Sequence, residues 1–319
     1  MRSVLIATAA LAACACAAQE RETEKPLAGK NVLMIIASQK FRDEELKEPR
    51  EVLKSKGAEV VVASSRKGDC KGMLGAVEKV GKTLKEVKVS EYDAVIFVGG
   101  VGAQEYFKSA AAHAVAKKAY EGGAVVGAIC IAPMILARAG LLKDKKATIW
   151  KGFAEKFKAE KVNYTGADVE RVGRIVTANG PKVARKFGET VAKMLEKLLL
   201  RGRRIALFVE SGVDAELLAK TRTLLDEAGA VVTLCGRRSG KLKTSEGDKI
   251  DVKRVPSKAE VMVAVDADYR KAIKAGRGKR CVLVGRGLPR GRVKEVAAAV
   301  DGGEVEKLPK ILADELNKK

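Results

Sequence analysis

Histidine is almost absent from this sequence, and its scarcity limits the chemistry that the chain can perform. The one imidazole, His113, falls within a predicted helix over residues 110–120. A histidine that takes a proton from a serine or cysteine nucleophile must lie within hydrogen-bond reach of it. A surface or packing role is favoured for His113, so the sequence gives no support for hydrolysis that depends on imidazole.

Cysteine is scarce too, and its spacing argues against a metal site. Two of the six cysteines, Cys14 and Cys16, lie close to the N-terminus. The other four are far apart, without the CxxC or Cys/His spacing of zinc sites: Cys70, Cys130, Cys235 and Cys281. We expect no metal and no cofactor. Disulfides in an oxidising compartment and plain buried thiols both remain open for these four residues.

Aromatic residues make up only 4% of the chain, although its formal net charge is +22. Proteins that bind single strands combine a basic groove with aromatic side chains on which bases stack. Here the basic excess is spread over both halves of the chain, and no basic-helix motif accompanies it. The sequence therefore predicts no specific nucleic acid binding. It favours a lysine-rich solvated surface, with an anionic envelope or lipid headgroup layer as the partner of that charge.

The N-terminal apolar run is too short to cross a bilayer. Residues 4–13 follow a single positive charge, Arg2, and precede small residues, which predicts a secretory signal peptide over residues 1–18. Cys14 ends a segment that resembles the bacterial lipobox, so lipidation at Cys14 and ordinary cleavage after Ala18 both remain open. The polar residues 19–29 read as a tether. We expect an exported protein, either periplasmic or lipid-anchored at the cell envelope.

Apolar strands alternate with helices from residue 30 onwards. The predicted strands cover residues 32–37, 60–63, 94–98, 124–129, 147–150 and 174–177. The main predicted helices cover residues 46–57, 110–120, 133–139 and 181–200. Alternation at this spacing is typical of a parallel sheet covered on both faces by helices. The sequence predicts an α/β three-layer sandwich with a first domain over residues 30–200.

The second half of the chain repeats the first. A basic boundary at residues 201–204 precedes another strand, at residues 205–209. Adding 172 to a position pairs like residues: Leu53 with Leu225, Gly57 with Gly229, Val60 with Val232, Arg66 with Arg238 and Gly68 with Gly240. One ungapped offset indicates duplication of a whole domain, although alternating strands and helices produce some such matches by themselves. We expect two tandem domains, the second over residues 203–319.

Cys130 stands where a strand passes into a helix. The apolar residues 125–129 precede it, and Pro133 opens the next helix. Such an elbow lifts a nucleophile above the carboxyl end of the sheet, where open α/β sheets bind ligands. The amides and dipole of the following helix favour the thiolate. This pattern predicts an acidic and accessible thiol at Cys130, with an inert buried cysteine as the alternative.

Four segments, in order and spacing, resemble the signature segments of the ThiJ/PfpI superfamily. They are residues 98–104, 128–133, 164–165 and 177–181. The resemblance covers about residues 30–200 and implies a flavodoxin-like sandwich with Cys130 as nucleophile and Glu45 as its acidic partner. A protonated Glu45 can donate to a thiolate or a sulfinate, and an ionised Glu45 can act as a base. Gly99, Gly100 and Ile131 are then expected to supply backbone amides to a developing oxyanion.

Two departures from the superfamily pattern argue against peptidase activity. The superfamily's peptidases carry a histidine directly after the cysteine, and here Ile131 occupies that position. A second histidine, common in deglycase-like members, falls on Trp150. A cysteine peptidase or amidase is therefore only the third hypothesis. The first is a stress enzyme whose Cys130 reacts with a small carbonyl or peroxide, as in glyoxalases and deglycases. The second is a redox-sensing or binding module without turnover.

The second domain has lost the residues of this site. At the constant offset Glu45 becomes Leu217, and aligning residues 287–289 with residues 131–133 puts Arg286 in the place of Cys130. This half resembles the same fold and also the C-terminal domain of large catalases. We expect it to be structural, imitating the dimer interface that the superfamily commonly uses, and a homodimer is a further expectation.

Overall fold

A computed structural model describes residues 25–267, 280–284, 296–300 and 302–317 of the chain. Within these residues the protein folds as two α/β units, and no helix is both long and apolar enough to cross a membrane. The predicted signal segment and its Cys14 lie outside the described residues.

The first unit is built on a seven-stranded sheet in the order β11-β12-β8-β7-β1-β3-β6. Its strands are β1 (Asn31–Ile35), β2 (Gln39–Phe41), β3 (Glu59–Ser64), β4 (Gly68–Gly72), β5 (Val77–Val80), β6 (Lys82–Thr83), β7 (Ala94–Phe97), β8 (Val125–Ile129), β9 (Lys146–Ala147), β10 (Asn163–Tyr164), β11 (Val169–Val172) and β12 (Ile175–Ala178). All neighbours in this sheet are parallel except the edge pair β11 and β12. β2, β4 and β5 form a separate small sheet.

Helices cover both faces of the first sheet. They are α1 (Asp43–Ser55), α2 (Ala110–Glu121), α3 (Pro133–Arg138), α4 (Ala154–Ala159) and α5 (Ala184–Glu196), with short 3-10 turns at Val89–Glu91, Val101–Tyr106, Lys151–Phe153 and Pro181–Val183. α1 packs against α5, and α2 packs against α3. The strands β1, β7 and β8 are almost entirely buried between these layers, as continuous apolar runs predict. The α/β sandwich is confirmed.

The second unit repeats this order. Its elements are β13 (Arg204–Phe208), α6 (Ala215–Glu227), β14 (Val231–Gly236), β15 (Gly240–Lys243), β16 (Lys249–Arg254), β17 (Val261–Val265), β18 (Arg280–Val284), β19 (Val296–Val300), a 3-10 turn at Gly302–Lys307 and α7 (Leu308–Asn317). Its sheet order is β15-β16-β14-β13-β17-β18-β19. The bounds of α6 and β14 follow those of α1 and β3 at the offset of 172 that the sequence predicts.

Strand pairing supports the duplication independently of sequence identity. Phe41 pairs with Gly72 in the first unit, and Val213 pairs with Thr244 in the second, at the same offset. The antiparallel hairpins match as well, because β4 pairs with β5 in the register in which β15 pairs with β16. Such shared pairings argue that one ancestral unit gave rise to both.

The borders of the two units differ from the sequence expectation. Leu27 is fully buried in the first core, and its N–H donates to the carbonyl of Lys56 at 2.9 Å, so the fold begins inside the expected tether. Leu200 is fully buried in the second core rather than the first. Leu27 is a single leucine in a polar stretch, and Leu200 ends a run of three leucines that continues the predicted helix of the first unit, so the sequence conceals both borders.

Backbone and ionic contacts join the units. Arg174 is 3% exposed and lies in the first unit. It pairs with the Asp226 carboxylate at 2.6 Å and donates to the Tyr120 carbonyl at 2.8 Å. Gly123 and Gly229 meet so closely that a Cβ added to Gly123 would lie 2.1 Å from the Gly229 carbonyl oxygen. The joint is thus a close contact of the two backbones.

Candidate active site

The site lies where the sheet changes its direction of winding. The chain moves from β1 to β3 on one side and then to β7 and β8 on the other, so the carboxyl ends of β1 and β7 border the crevice where open α/β sheets bind ligands. α1 follows β1, Gly99 follows β7 and Cys130 follows β8. Parallel topology alone brings these three elements to one edge.

Cys130 adopts the backbone conformation of a nucleophile elbow. Its φ is 62°, a left-handed value that costs a non-glycine residue about 1–3 kcal/mol. Two main-chain hydrogen bonds hold it there: its N–H donates to the Ala178 carbonyl at 2.9 Å, and the Trp150 N–H donates to its carbonyl at 2.8 Å. The surrounding structure thus fixes Cys130 in a strained conformation.

Glu45, the third residue of α1, is fully buried beside the cysteine. Its Oε2 accepts a hydrogen bond from the Gly99 N–H at 3.1 Å, and the Cys130 thiol hydrogen bonds to the same carboxyl. Burial raises the pKa of Glu45 to about 8, although the Cys130 and Gly99 hydrogen bonds and the Arg42 charge lower it. The carboxyl is therefore protonated at neutral pH.

The thiol is less exposed and less acidic than the sequence pattern predicts. Cys130 is 9% exposed, and burial together with the Glu45 charge raises its pKa to about 12. Hydrogen bonds from the Gly100 and Ile131 amides act in the opposite direction. The expectation of an acidic, accessible thiol is wrong because α3 is only six residues long and its dipole does not offset desolvation. The Cys130 thiol and the Glu45 carboxyl are too close to carry negative charges at the same time, so the pair keeps at least one proton.

The three backbone amides that are expected to stabilise an oxyanion have different hydrogen-bond partners. The Gly100 and Ile131 N–H groups reach the Cys130 sulfur, whereas the Gly99 N–H is occupied by Glu45. The proposed oxyanion role of Gly99 therefore does not fit the geometry. Gly99 is needed for space instead, since a Cβ there would lie 2.5 Å from both the Cys130 Cβ and the Glu45 Oε2. Gly100 has φ 91°, which favours glycine.

Trp150 contacts Cys130 through its backbone, whereas His113 lies on the separate helix α2. The Trp150 side chain is 49% exposed. It lies over Gly180, where an added Cβ would meet the indole ring at 2.9 Å, and only the Trp150 backbone N–H is shown to contact Cys130. His113 lies on α2, where burial lowers its pKa and the Phe107 backbone and the charges of Lys117 and Arg138 surround it. No imidazole adjoins Cys130 in the described part of the chain.

The described residues contain no group of three or more His, Cys, Asp or Glu side chains placed to hold a metal ion. The four cysteines among them are free and buried: Cys70, Cys130, Cys235 and Cys281. Cys235 and Cys281 pack in one apolar cluster of the second unit, which is the buried-thiol alternative. Among these four cysteines, Cys130 is the one with a buried acid beside it.

The second unit lacks the acid. Leu217 is the third residue of α6, as Glu45 is of α1, and it packs against the second core. Arg286, predicted to replace the nucleophile, lies outside the described residues. The likeness of this unit to the C-terminal domain of large catalases stays a prediction.

Comparisons with known proteins match the first unit of the chain. The model of the DJ-1/PfpI family matches residues 30–194. An uncharacterised protein of Methanocaldococcus jannaschii is 40% identical over 198 residues, covering 61% of this chain and 97% of the relative. The deglycase PfpI of Pyrococcus furiosus is 33% identical over 165 residues, covering 51% and 95%.

A solved structure shares the fold of the first unit. The ThiJ/PfpI domain protein of Brachyspira murdochii superposes with a TM-score of 0.51 at 29% identity and covers 52% of this chain and 95% of its own. The family match spans more than half of the sequence and contains Glu45, Gly99, Gly100 and Cys130. The chain belongs to the DJ-1/PfpI family.

Proposed function

We propose that the first unit is a thiol enzyme that removes small reactive carbonyl compounds such as methylglyoxal. The observation that carries this proposal is the convergence of three features on one sulfur: the buried carboxyl of Glu45, and the amides of Gly100 and Ile131. A relative named a deglycase supports the choice of a carbonyl substrate.

The proposed chemistry begins with addition of the sulfur to an aldehyde carbon. A carbon–sulfur bond forms, the carbonyl π bond breaks, and the electron pair moves to the carbonyl oxygen. We assign the stabilisation of that charge to the Gly100 and Ile131 amides, which hydrogen bond to the sulfur in the unreacted site. The oxygen takes up the Glu45 proton, and the thiol proton passes to the carboxyl in exchange, which gives a neutral hemithioacetal and a carboxyl that is again protonated. The Glu45 carboxyl, which holds a proton at neutral pH, thus serves as the proton donor to the oxygen and as the acceptor of the thiol proton.

Cys130→Ser is expected to lower methylglyoxal consumption to the buffer background, since a serine hydroxyl in this site has no base to activate it. Consumption is followed by derivatising the remaining dicarbonyl. Cys235→Ala is the matched control, because Cys235 is a buried free thiol of the second unit. Equal rates for the wild type and Cys130→Ser, with the Cys235 variant unchanged, would contradict the proposal.

A redox-sensing role is the second candidate, favoured by the protonated Glu45 carboxyl beside the sulfur. Two equivalents of peroxide convert a thiol to a sulfinate with release of two waters, and a neutral carboxyl can donate a hydrogen bond to the new oxygens. Mild peroxide treatment is expected to add two oxygens to the peptide of Cys130 and none to that of Cys281. Peptide mass spectrometry measures this, and unselective oxidation of all four thiols argues against sensing.

A peptidase is not proposed. Ile131 follows the nucleophile and is 4% exposed. No described imidazole reaches the sulfur to activate it for attack on an amide.

A further inference from the structure

The second unit has a cleft of its own at the carboxyl ends of its central strands. The cleft has a volume of about 450 Å³ and is lined by residues that follow β13 and β14, among them Glu210, Ser211, Arg237, Arg238 and Lys241. Clefts of this volume hold small organic molecules. The carboxyl edge of a parallel sheet is also where open α/β folds place ligands.

The lining of this cleft is strongly basic. Three cationic side chains, Arg237, Arg238 and Lys241, stand against one acid, Glu210. Glu210, the one acid of this lining, has an interaction partner of its own. The lining therefore carries a net charge of about +2 at neutral pH.

The first unit shows that this charge is not inherited with the fold. At the offset of 172, Arg238 corresponds to Arg66 and Lys241 corresponds to Asp69. In the first unit Arg66 donates to the Asp69 carbonyl at 2.9 Å, and the adjacent Lys67 pairs with Glu86 at 2.6 Å. The second unit keeps the arginine but replaces the acid by a base.

The cleft also contains hydroxyl donors. The Ser239 Oγ accepts a hydrogen bond from the Arg254 N–H at 3.1 Å, so its position is fixed while its own proton remains free to be donated. Ser211 also lines the cleft. Two guanidinium groups, an ammonium and two hydroxyls together supply more donors than the two oxygens of a carboxylate accept.

We propose that this cleft binds a small molecule that carries a phosphate monoester. The dianionic phosphate matches the net charge of the lining, and its terminal oxygens match the arginine forks. A lipid headgroup offers the same chemistry, but the bases line a concavity, which a free ester enters more readily than a bilayer surface does. The site is independent of Cys130 and of the reaction proposed for it.

The test is calorimetric titration of the full chain with glycerol 1-phosphate at constant ionic strength. We expect saturable binding with one molecule per chain. Lys241→Asp, which restores the acid of the first unit, is expected to weaken binding by at least about tenfold, as is Arg238→Gln. Arg66→Ala removes the equivalent charge from the first unit and is the matched control, with affinity expected to stay within about twofold.

Three further results decide the proposal. Glycerol without phosphate is expected not to bind. Binding confined to vesicles of phosphatidylglycerol, with none to glycerol 1-phosphate, would identify a membrane surface and overturn the proposal. If Arg66→Ala and Arg238→Gln weaken the binding of glycerol 1-phosphate equally, the ligand is attracted by the overall charge and not by a site. Thermal unfolding of each variant verifies that the compared chains are folded.

Discussion

Glu45→Gln is expected to make the protein more stable at pH 8 while removing most of its reactivity toward methylglyoxal. The side chain is fully buried, and burial raises its pKa from the ordinary 4.5 to about 8. The glutamine oxygen still accepts from the Gly99 N–H, and its amide can donate to the sulfur. The variant thus keeps the shape of the site and loses only the ionisable proton.

The sign of the stability change follows from proton binding. Between pH 4.5 and 8 the folded chain keeps the Glu45 proton and the unfolded chain loses it. The free energy of unfolding of the wild type therefore falls as pH rises through this window. The loss amounts to roughly 3 kcal/mol at pH 7 and about 4 kcal/mol at pH 8. Glutamine removes this loss, so the stability of the variant changes less with pH.

Urea unfolding of both proteins at pH 5, 6, 7 and 8 measures this difference. Glu44→Gln is the control, because Glu44 is the preceding residue but pairs with Arg42 at 2.9 Å on a partly exposed surface. Its effect is expected to be about 1 kcal/mol or less. A wild-type profile parallel to that of Glu45→Gln across this range would show that Glu45 is ionised in the folded protein.

Arg174→Ala is expected to loosen the joint between the two units and to lower the free energy of unfolding by roughly 3 kcal/mol. The guanidinium is buried, pairs with the Asp226 carboxylate, donates to the Tyr120 carbonyl and lies 4.8 Å from the Tyr120 ring centroid. Alanine leaves these partners without their donor. The guanidinium is buried although the Asp226 carboxylate is about one-third exposed, so its removal costs more than removing an arginine whose own side chain is exposed.

Arg171→Ala provides the matched control for this prediction. Arg171 pairs with Glu227 of the second unit at 2.6 Å, but both side chains are about one-third exposed, so we expect a loss of at most about 1 kcal/mol. Urea unfolding measures both variants, and limited proteolysis near residues 199–203 reports opening of the joint. Similar losses in the two variants would mean that burial of Arg174 contributes little.

The fold was readable from the sequence because its central strands are buried on both faces. Runs such as residues 94–98 and 124–129 contain little except apolar side chains, and β7 and β8 occupy those positions. The hairpin β4–β5 was not predicted, since its exposed Val77 and alternating polar residues resemble a loop. The predicted strand over residues 147–150 shrinks to the two residues of β9.

The site was only partly readable. The position of Cys130 follows from a strand that gives way to a helix, and the pairing with Glu45 follows from family resemblance. The direction in which each amide N–H points cannot be predicted from the sequence, because successive N–H groups at the end of a strand point in different directions. Gly99 therefore donates to the acid and Gly100 to the sulfur. The thiol pKa depends on burial, which no short motif records.

The two buried leucines that precede the central strands define where each unit can be cut. Leu27 donates to the Lys56 carbonyl and Leu200 to the Ala228 carbonyl, so each closes the end of the helix that follows its unit's first strand. Both are fully buried. A fragment of the second unit that begins at residue 203 omits the leucine that closes its own core, whereas one that begins at residue 198 retains it. The smallest piece expected to fold alone is thus longer than its regular elements.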